Sequence, residues 1–112
     1  MIRTHIIRQA VILAGGAGTR LRPMTIHTSK PMIPFWGKPF LEPLIELLKA
    51  NGIEEVILLV GYLHEQIEEY FGDGKKFGIS ITYSYGPPES DTGTRLRNAY
   101  PLMDQTFLLL YG

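Results

Sequence analysis

A chain of 112 residues, 45% of them hydrophobic and 20% charged, has room for one compact domain and is too apolar for a disordered segment. It has no cysteine, which excludes disulfides and thiolate metal sites, and no apolar run reaches the roughly 18 residues of a membrane span. The net charge is zero, but residues 1–41 hold six basic side chains and no acidic one, which favours a bound anion over chance clustering. From this composition we expect no membrane partner and a cytoplasmic location.

The chain alternates strand and helix patterns from end to end. Four apolar segments predict strands: Ala10–Ala14, Val56–Val60, the alternating stretch Ile79–Tyr85, and Phe107–Tyr111. Apolar residues at helical spacing predict helices around 40–50, 63–71 and 96–103, and a loop is predicted over 86–93. The order β-α-β-α-β-α-β predicts an α/β, Rossmann-like fold with a mainly parallel sheet, in one domain over residues 1–112.

The segment after the first predicted strand is the most informative part of the sequence about function. Gly15-Gly16-Ala17-Gly18 leads into Thr19-Arg20-Leu21-Arg22-Pro23, and Ser29-Lys30-Pro31 follows. Glycines let backbone N–H groups approach an anion, while the Arg and Lys side chains bring positive charge. This segment lies beyond the carboxyl end of a strand, where ligands bind in parallel sheets. It therefore predicts a phosphate site, with a solvated glycine-rich turn as the alternative.

Other phosphate-binding classes fit this segment less well. Leu21 stands where a dinucleotide fingerprint has its third glycine, so a dinucleotide-binding oxidoreductase is a weak alternative. No Gly-Lys-Ser/Thr follows, as a P-loop requires. Nucleic acid is not an expected partner, because no basic helix or aromatic platform accompanies the basic residues.

These motifs resemble the N-terminal signature of sugar-1-phosphate nucleotidyltransferases, Gly-Gly-x-Gly-Thr-Arg-Leu-x-Pro-x-Thr followed by Lys-Pro-x-x-Pro and Gly-Lys-Pro. The matching residues are 15–25, 30–34 and 37–39, and the resemblance extends over residues 9–112. Mannose-1-phosphate guanylyltransferases and glucose-1-phosphate thymidylyltransferases are similar members. The resemblance implies transfer of a nucleotidyl group from a nucleoside triphosphate to a sugar 1-phosphate, with release of pyrophosphate; it leaves the base, the sugar and the oligomeric state open.

The resemblance also implies roles for particular residues. Arg20 and Lys30 are the expected catalytic residues: Arg20 would hold the triphosphate, and Lys30 would neutralise the α-phosphate from the other side. The expected nucleotide-binding residues are Leu13, Ala14, Gly15, Gly16, Gly18, Thr19, Arg20 and Gly93.

The resemblance further implies a Mg²⁺ ion, held by an Asp that follows the last strand in family members. In this chain that position comes after Gly112, where the sequence ends, so no metal ligand is expected within it. We therefore expect a nucleotide-binding half of a larger enzyme, with little turnover alone. A catalytically silent nucleotide-binding or regulatory domain of the same fold is the alternative.

Overall fold

The computed structural model describes residues 7–16, 27–87, 89–104 and 107–111, which form an α/β fold around a parallel sheet. The strands are β1 (Gln9–Leu13), β2 (Pro34–Phe35), β3 (Lys38–Pro39), β4 (Glu55–Val60), β5 (Ser80–Tyr85) and β6 (Leu108–Tyr111). The helices are α1 (Leu41–Ala50), α2 (His64–Phe71) and α3 (Thr92–Ala99). The predicted order of elements is confirmed, and the short antiparallel hairpin β2–β3 is added before α1.

The main sheet has the strand order β5-β4-β1-β6, and each neighbouring pair is parallel. The chain moves outward from β1 through β4 to β5 and then returns, so that β6 pairs with the other side of β1. The strand order therefore reverses at β1. In open α/β sheets ligands bind at such a switch point, beyond the carboxyl ends of the strands.

Alternate residues of the central strands contribute to two separate core clusters. Ile12 belongs to a cluster with Ile45 of α1 and Ile67 of α2. Its neighbour Val11 belongs to a second cluster with Ala99 of α3. Because successive side chains of a strand point to opposite faces, helices cover both faces of the sheet. No helix within the described ranges has the length and apolar character that crossing a membrane requires.

Helix α3 begins within the segment predicted as a loop. The loop predicted over 86–93 ends at Asp91, whose Oδ1 accepts a hydrogen bond from the N–H of Thr94 (2.7 Å). This cap satisfies an N–H group that has no partner inside the helix, and it places Gly93 in the first helical turn. Pro101 lies in the 3₁₀ turn that follows Ala99, so α3 ends before residue 103, where the predicted helix ended.

Replacing Asp91 with alanine should lower the melting temperature by a few degrees, because the Thr94 N–H loses its acceptor. The hydrogen bond from Thr94 also holds the pKa of Asp91 below its ordinary value of 3.8. A carboxyl whose pKa is lowered on folding stabilises the fold above its unfolded pKa, and this contribution is lost as the pH falls through the lowered value. The melting temperatures of Asp91→Ala and wild type should therefore move closer together in acid, although a protonated Asp91 still offers the Thr94 N–H an acceptor oxygen.

Thermal denaturation followed by circular dichroism, from about pH 7 into the acid range below the ordinary Asp pKa, measures this convergence. Asp91→Asn is the matched control, since it keeps an acceptor oxygen and should retain most of the stability at neutral pH. Equal melting temperatures for Asp91→Ala and wild type at neutral pH would contradict the capping role.

Candidate functional site

The glycine-rich segment leaves the sheet at the carboxyl end of β1. Leu13 and Ala14 are buried with their side chains in the core clusters, so only their backbone atoms are available to a ligand. Gly15 is buried and Gly16 is exposed, so the chain emerges from the sheet between these two residues. Three further residues with predicted roles lie outside the described ranges, and those roles remain predictions: Gly18, Thr19 and Arg20.

The carboxyl ends of β1, β4 and β5 lie so close together that the backbone segments just beyond them are in direct contact. The carbonyl of Gly15 accepts a hydrogen bond from the N–H of Tyr62 (3.2 Å), and the N–H of Gly86 donates to the carbonyl of Val60 (3.0 Å). A Cβ atom at Gly61 would lie 2.5 Å from the Gly86 oxygen and 3.0 Å from the Gly15 oxygen. Only glycine therefore fits at position 61 without displacing a neighbouring strand end.

Arg95 of α3 is buried among these strand ends. Its Nη2 donates to the carbonyls of Gly15 (3.1 Å) and Pro87 (2.8 Å), and its Nη1 donates to that of Val60 (3.4 Å). Its Nε donates to the carbonyl of Ser90 (3.2 Å). Burial lowers the pKa of the Arg95 guanidinium from its ordinary value, but such a group stays charged at neutral pH. One cation thus connects three strand ends to α3.

Arg95 is a site residue that the sequence interpretation missed. The signal that could have identified it is its spacing from Ala99, which is apolar and one helical turn further along α3. Residues four apart on a helix share a face, and Ala99 is fully buried. A basic side chain on an inward face must find acceptors in the interior, because a buried charge without partners is costly.

Lys30 is exposed at the start of a 3₁₀ turn, Lys30–Met32, and the segment before it is fixed by Gln66 of α2. The Oε1 of Gln66 accepts from the N–H of Ser29 (2.7 Å), and its Nε2 donates to the carbonyl of His27 (2.6 Å). Gln66 lies in the first turn of α2, which starts just beyond the carboxyl end of β4. These contacts attach the segment that carries Lys30 to the edge of the sheet where β1 and β4 end.

A histidine, a glutamate and a tyrosine form a polar cluster beside this edge. The Nδ1 of His64 lies 2.6 Å from Oε1 of Glu68, and the His64 ring contacts the Tyr85 ring at 5.1 Å between centroids. Burial, and then the nearby Glu68 carboxylate, raise the pKa of Tyr85. Within the described part of the chain, no group of three or more His, Cys, Asp or Glu side chains is placed to hold a metal ion. The carboxylate of Glu68 is thus paired with a histidine and is not part of a metal-ligand cluster.

Gly93 lies on the exposed surface of the first turn of α3, two residues before Arg95. A Cβ atom here would meet Oδ1 of Asp91 at 3.7 Å, an ordinary van der Waals distance. Packing within the described residues therefore does not require glycine at this position. The predicted nucleotide-binding role of Gly93 remains a prediction.

Known proteins resemble this chain along most of its length. The family described as nucleotidyl transferase matches residues 9–111. The D-glycero-alpha-D-manno-heptose 1-phosphate guanylyltransferase of Campylobacter jejuni is 43% identical over 93% of this chain and 47% of its own length. A UTP–glucose-1-phosphate uridylyltransferase from a Synechocystis species is 40% identical over 93% of this chain and 30% of its own length. The chain thus spans less than half the length of these curated relatives.

A solved structure shares the fold described above. HddC from Yersinia pseudotuberculosis, complexed with GMP-PN, matches with a TM-score of 0.81 at 29% identity, over 94% of this chain and 47% of that one. Sequence and fold comparisons therefore agree with each other and with the resemblance carried by the glycine-rich segment. The chain belongs to the nucleotidyl transferase family.

Proposed function

We propose that this chain supplies the triphosphate-binding site of an enzyme that transfers a nucleotidyl group from a nucleoside triphosphate to a sugar 1-phosphate. The products are a nucleotide sugar and pyrophosphate. The observation that carries this proposal is the position of Gly15-Gly16 at the carboxyl end of β1, where the strand order reverses, in a member of the nucleotidyl transferase family. The names of the relatives, a guanylyltransferase and a uridylyltransferase of sugar 1-phosphates, support the same reaction class.

In this reaction an oxygen of the sugar 1-phosphate attacks the α-phosphorus in line. The bond from the α-phosphorus to the bridging oxygen breaks, and the electron pair leaves with pyrophosphate. Backbone N–H groups of the glycine-rich segment would face the phosphates, while Arg20 and Lys30 would stabilise the charge that develops on the equatorial oxygens. The protein contributes mainly positioning and electrostatics, since phosphoryl transfers of this kind need little covalent chemistry from side chains.

Mg²⁺ remains a predicted cofactor of the reaction. Among the described residues no group of three or more His, Cys, Asp or Glu side chains is placed to hold the ion. By resemblance the ligand would be an Asp at the position after Gly112, and we assign no step of the reaction to the metal. The cytoplasmic location also remains a prediction.

Calorimetric titration of the chain with GTP, dTTP, UTP and CTP, each with and without Mg²⁺, tests the proposal. We expect at least one triphosphate to bind and to raise the melting temperature, because a ligand that binds only the folded state stabilises it. At a free concentration of about 100 times Kd the gain is roughly 2.7 kcal/mol. NAD is the control ligand and should not bind.

Pyrophosphate release in the presence of sugar 1-phosphates then separates the enzyme from its alternative. Triphosphate binding with no release from any polypeptide that carries this sequence would favour a silent nucleotide-binding or regulatory domain. Binding of NAD, with no response to any triphosphate, would contradict the proposal.

A further inference from the structure

We propose that Arg95 is a positioning residue for the triphosphate. Its guanidinium, buried at the carboxyl ends of the strands, orients the Gly15–Gly16 peptide so that the Gly16 N–H faces the bound phosphates. This inference rests on the proposed nucleotide site. It adds a residue to which the family resemblance gives no role. The evidence for this role is a set of hydrogen bonds between parts of the chain that are distant in sequence.

Two donors fix the Gly15 carbonyl. Nη2 of Arg95 lies 3.1 Å from its oxygen, and the backbone nitrogen of Tyr62 lies 3.2 Å from it. A trans peptide is planar, and its C=O and N–H bonds point in opposite directions. Because the Gly15 carbonyl points toward these interior donors, the N–H of Gly16, which belongs to the same peptide, points away from them. Gly16 is exposed, so this N–H is presented to a ligand at the switch point.

The guanidinium is suited to this position because several acceptors converge on it. The carbonyls of Gly15, Val60 and Pro87 come from three different strand ends. Each of these carbonyls also accepts from a backbone N–H, that of Tyr62, Gly86 and Ser90 respectively, so the guanidinium is a second donor to all three. A guanidinium offers five donors in one rigid plane, whereas a lysine ammonium offers a single centre on a flexible stem. Arg95 therefore links the three carbonyls through one rigid group and fixes their relative directions.

The packing around Gly15 makes the arrangement stiff. A Cβ atom on Gly15 would lie 2.5 Å from Cζ of Arg95, so the guanidinium lies directly against the glycine backbone. Nε of Arg95 also donates to the Ser90 carbonyl, and α3 itself is capped by Asp91. Rotation of the Gly15–Gly16 peptide would break the hydrogen bonds that its carbonyl accepts from Arg95 and Tyr62, so the Gly16 N–H is oriented before the ligand arrives.

Two substitutions separate the geometry of Arg95 from its charge. Arg95→Met keeps an apolar stem and removes every donor, whereas Arg95→Lys keeps the charge and loses the planar fork. Arg97→Met is the matched control, since Arg97 is an exposed arginine of the same helix. The probes are inorganic tripolyphosphate, which needs no base recognition, and the triphosphate that binds wild type most tightly. Affinities are measured by calorimetry at a temperature where every variant is folded.

We expect both Arg95 variants to lose roughly 10-fold or more in affinity for both probes, which is the scale of hydrogen bonds to charged groups. Arg97→Met should bind as wild type does. The NMR signal of the Gly16 amide distinguishes the two roles of Arg95, because a purely structural role would not change how this signal responds to the ligand. In ¹H–¹⁵N spectra its signal should shift when tripolyphosphate is added to wild type, and this shift should be small in folded Arg95→Lys.

The outcomes distinguish this inference from the proposed function. If wild type binds a triphosphate and Arg95→Lys binds it equally well with the same Gly16 shift, the positioning role is wrong while the proposed function stands. If wild type binds neither probe, the proposed function and this inference both fail. If Arg95→Met does not fold, Arg95→Lys alone tests the positioning role, because it retains the stem and the charge.

Discussion

Lys30→Ala is expected to lower the affinity of the chain for its preferred nucleoside triphosphate by roughly 10- to 100-fold, with almost no change in melting temperature. The stability should persist because the Lys30 side chain is exposed and fills no part of the core. The affinity should fall because a cation beside a phosphate makes a charge-assisted hydrogen bond, which is stronger than a neutral one. Calorimetric titration of both proteins in the same buffer measures the difference.

The matched control for Lys30→Ala is Lys75→Ala. Lys75 is also exposed and also begins a 3₁₀ turn, but that turn precedes β5 and so lies at the amino edge of the sheet. Its removal should leave triphosphate affinity unchanged. The difference between wild type and Lys30→Ala should shrink as salt is added, since salt screens exposed charges. Equal losses in the two lysine variants would show that only net charge matters, and would contradict a specific contact by Lys30.

The fold could be predicted from apolar periodicity because each strand's surroundings determine its pattern. β4 is buried along almost its whole length and appears in the sequence as one continuous apolar run. Among the described strands β5 pairs only with β4, and it appears in the sequence as an alternation, with Ile81 buried and Ser80 exposed. The strand order was not predictable in the same way, because which strands become neighbours depends on packing over the whole domain.

The β2–β3 hairpin was not predicted, and its turn explains why. Each strand has two residues, and prolines at Pro34 and Pro39 weaken the strand pattern. Trp36 and Gly37 form the turn with φ angles of 55° and 79°. Glycine is usual in such a turn, but a bulky residue is rare at positive φ, so Trp36 carries no turn signal. Trp36 is 88% exposed, so no pattern of core packing could have predicted this hairpin either.

The candidate site was only partly predictable, because residue identities reveal some contacts and hide others. Glycines and basic residues near a strand end mark a phosphate loop, since those residue types are what the chemistry needs. Arg95 and Gln66 act on backbone oxygens or N–H groups, which every residue type can provide. Arg95 and Gly15 are 80 positions apart, so no local pattern connects them. Only the folded chain brings such partners together.

Gly61→Ala is expected to destabilise the fold by roughly 1–3 kcal/mol, toward the upper end of that range, because the added methyl group has no space. Its Cβ atom would lie 2.5 Å from the Gly86 oxygen and 3.0 Å from the Gly15 oxygen. Both are backbone atoms of neighbouring strand ends, so they cannot rotate aside as the tip of a flexible side chain does. Urea denaturation of wild type and variant measures the change in the free energy of unfolding.

Gly16→Ala is the matched control for stability. Among the described atoms none lies within 4 Å of a Cβ at Gly16, so this methyl group should leave the free energy of unfolding nearly unchanged. Wild-type stability in Gly61→Ala would contradict the close convergence of β1, β4 and β5. Where Gly61→Ala still folds, the methyl group should disturb the hydrogen bond between the Gly15 carbonyl and Arg95, because it crowds both the Gly15 oxygen and Nη2 of Arg95, which lies 3.3 Å from the same Cβ position. Triphosphate affinity should then fall in the folded fraction, because the Gly15–Gly16 peptide has lost the orientation that Arg95 gives it.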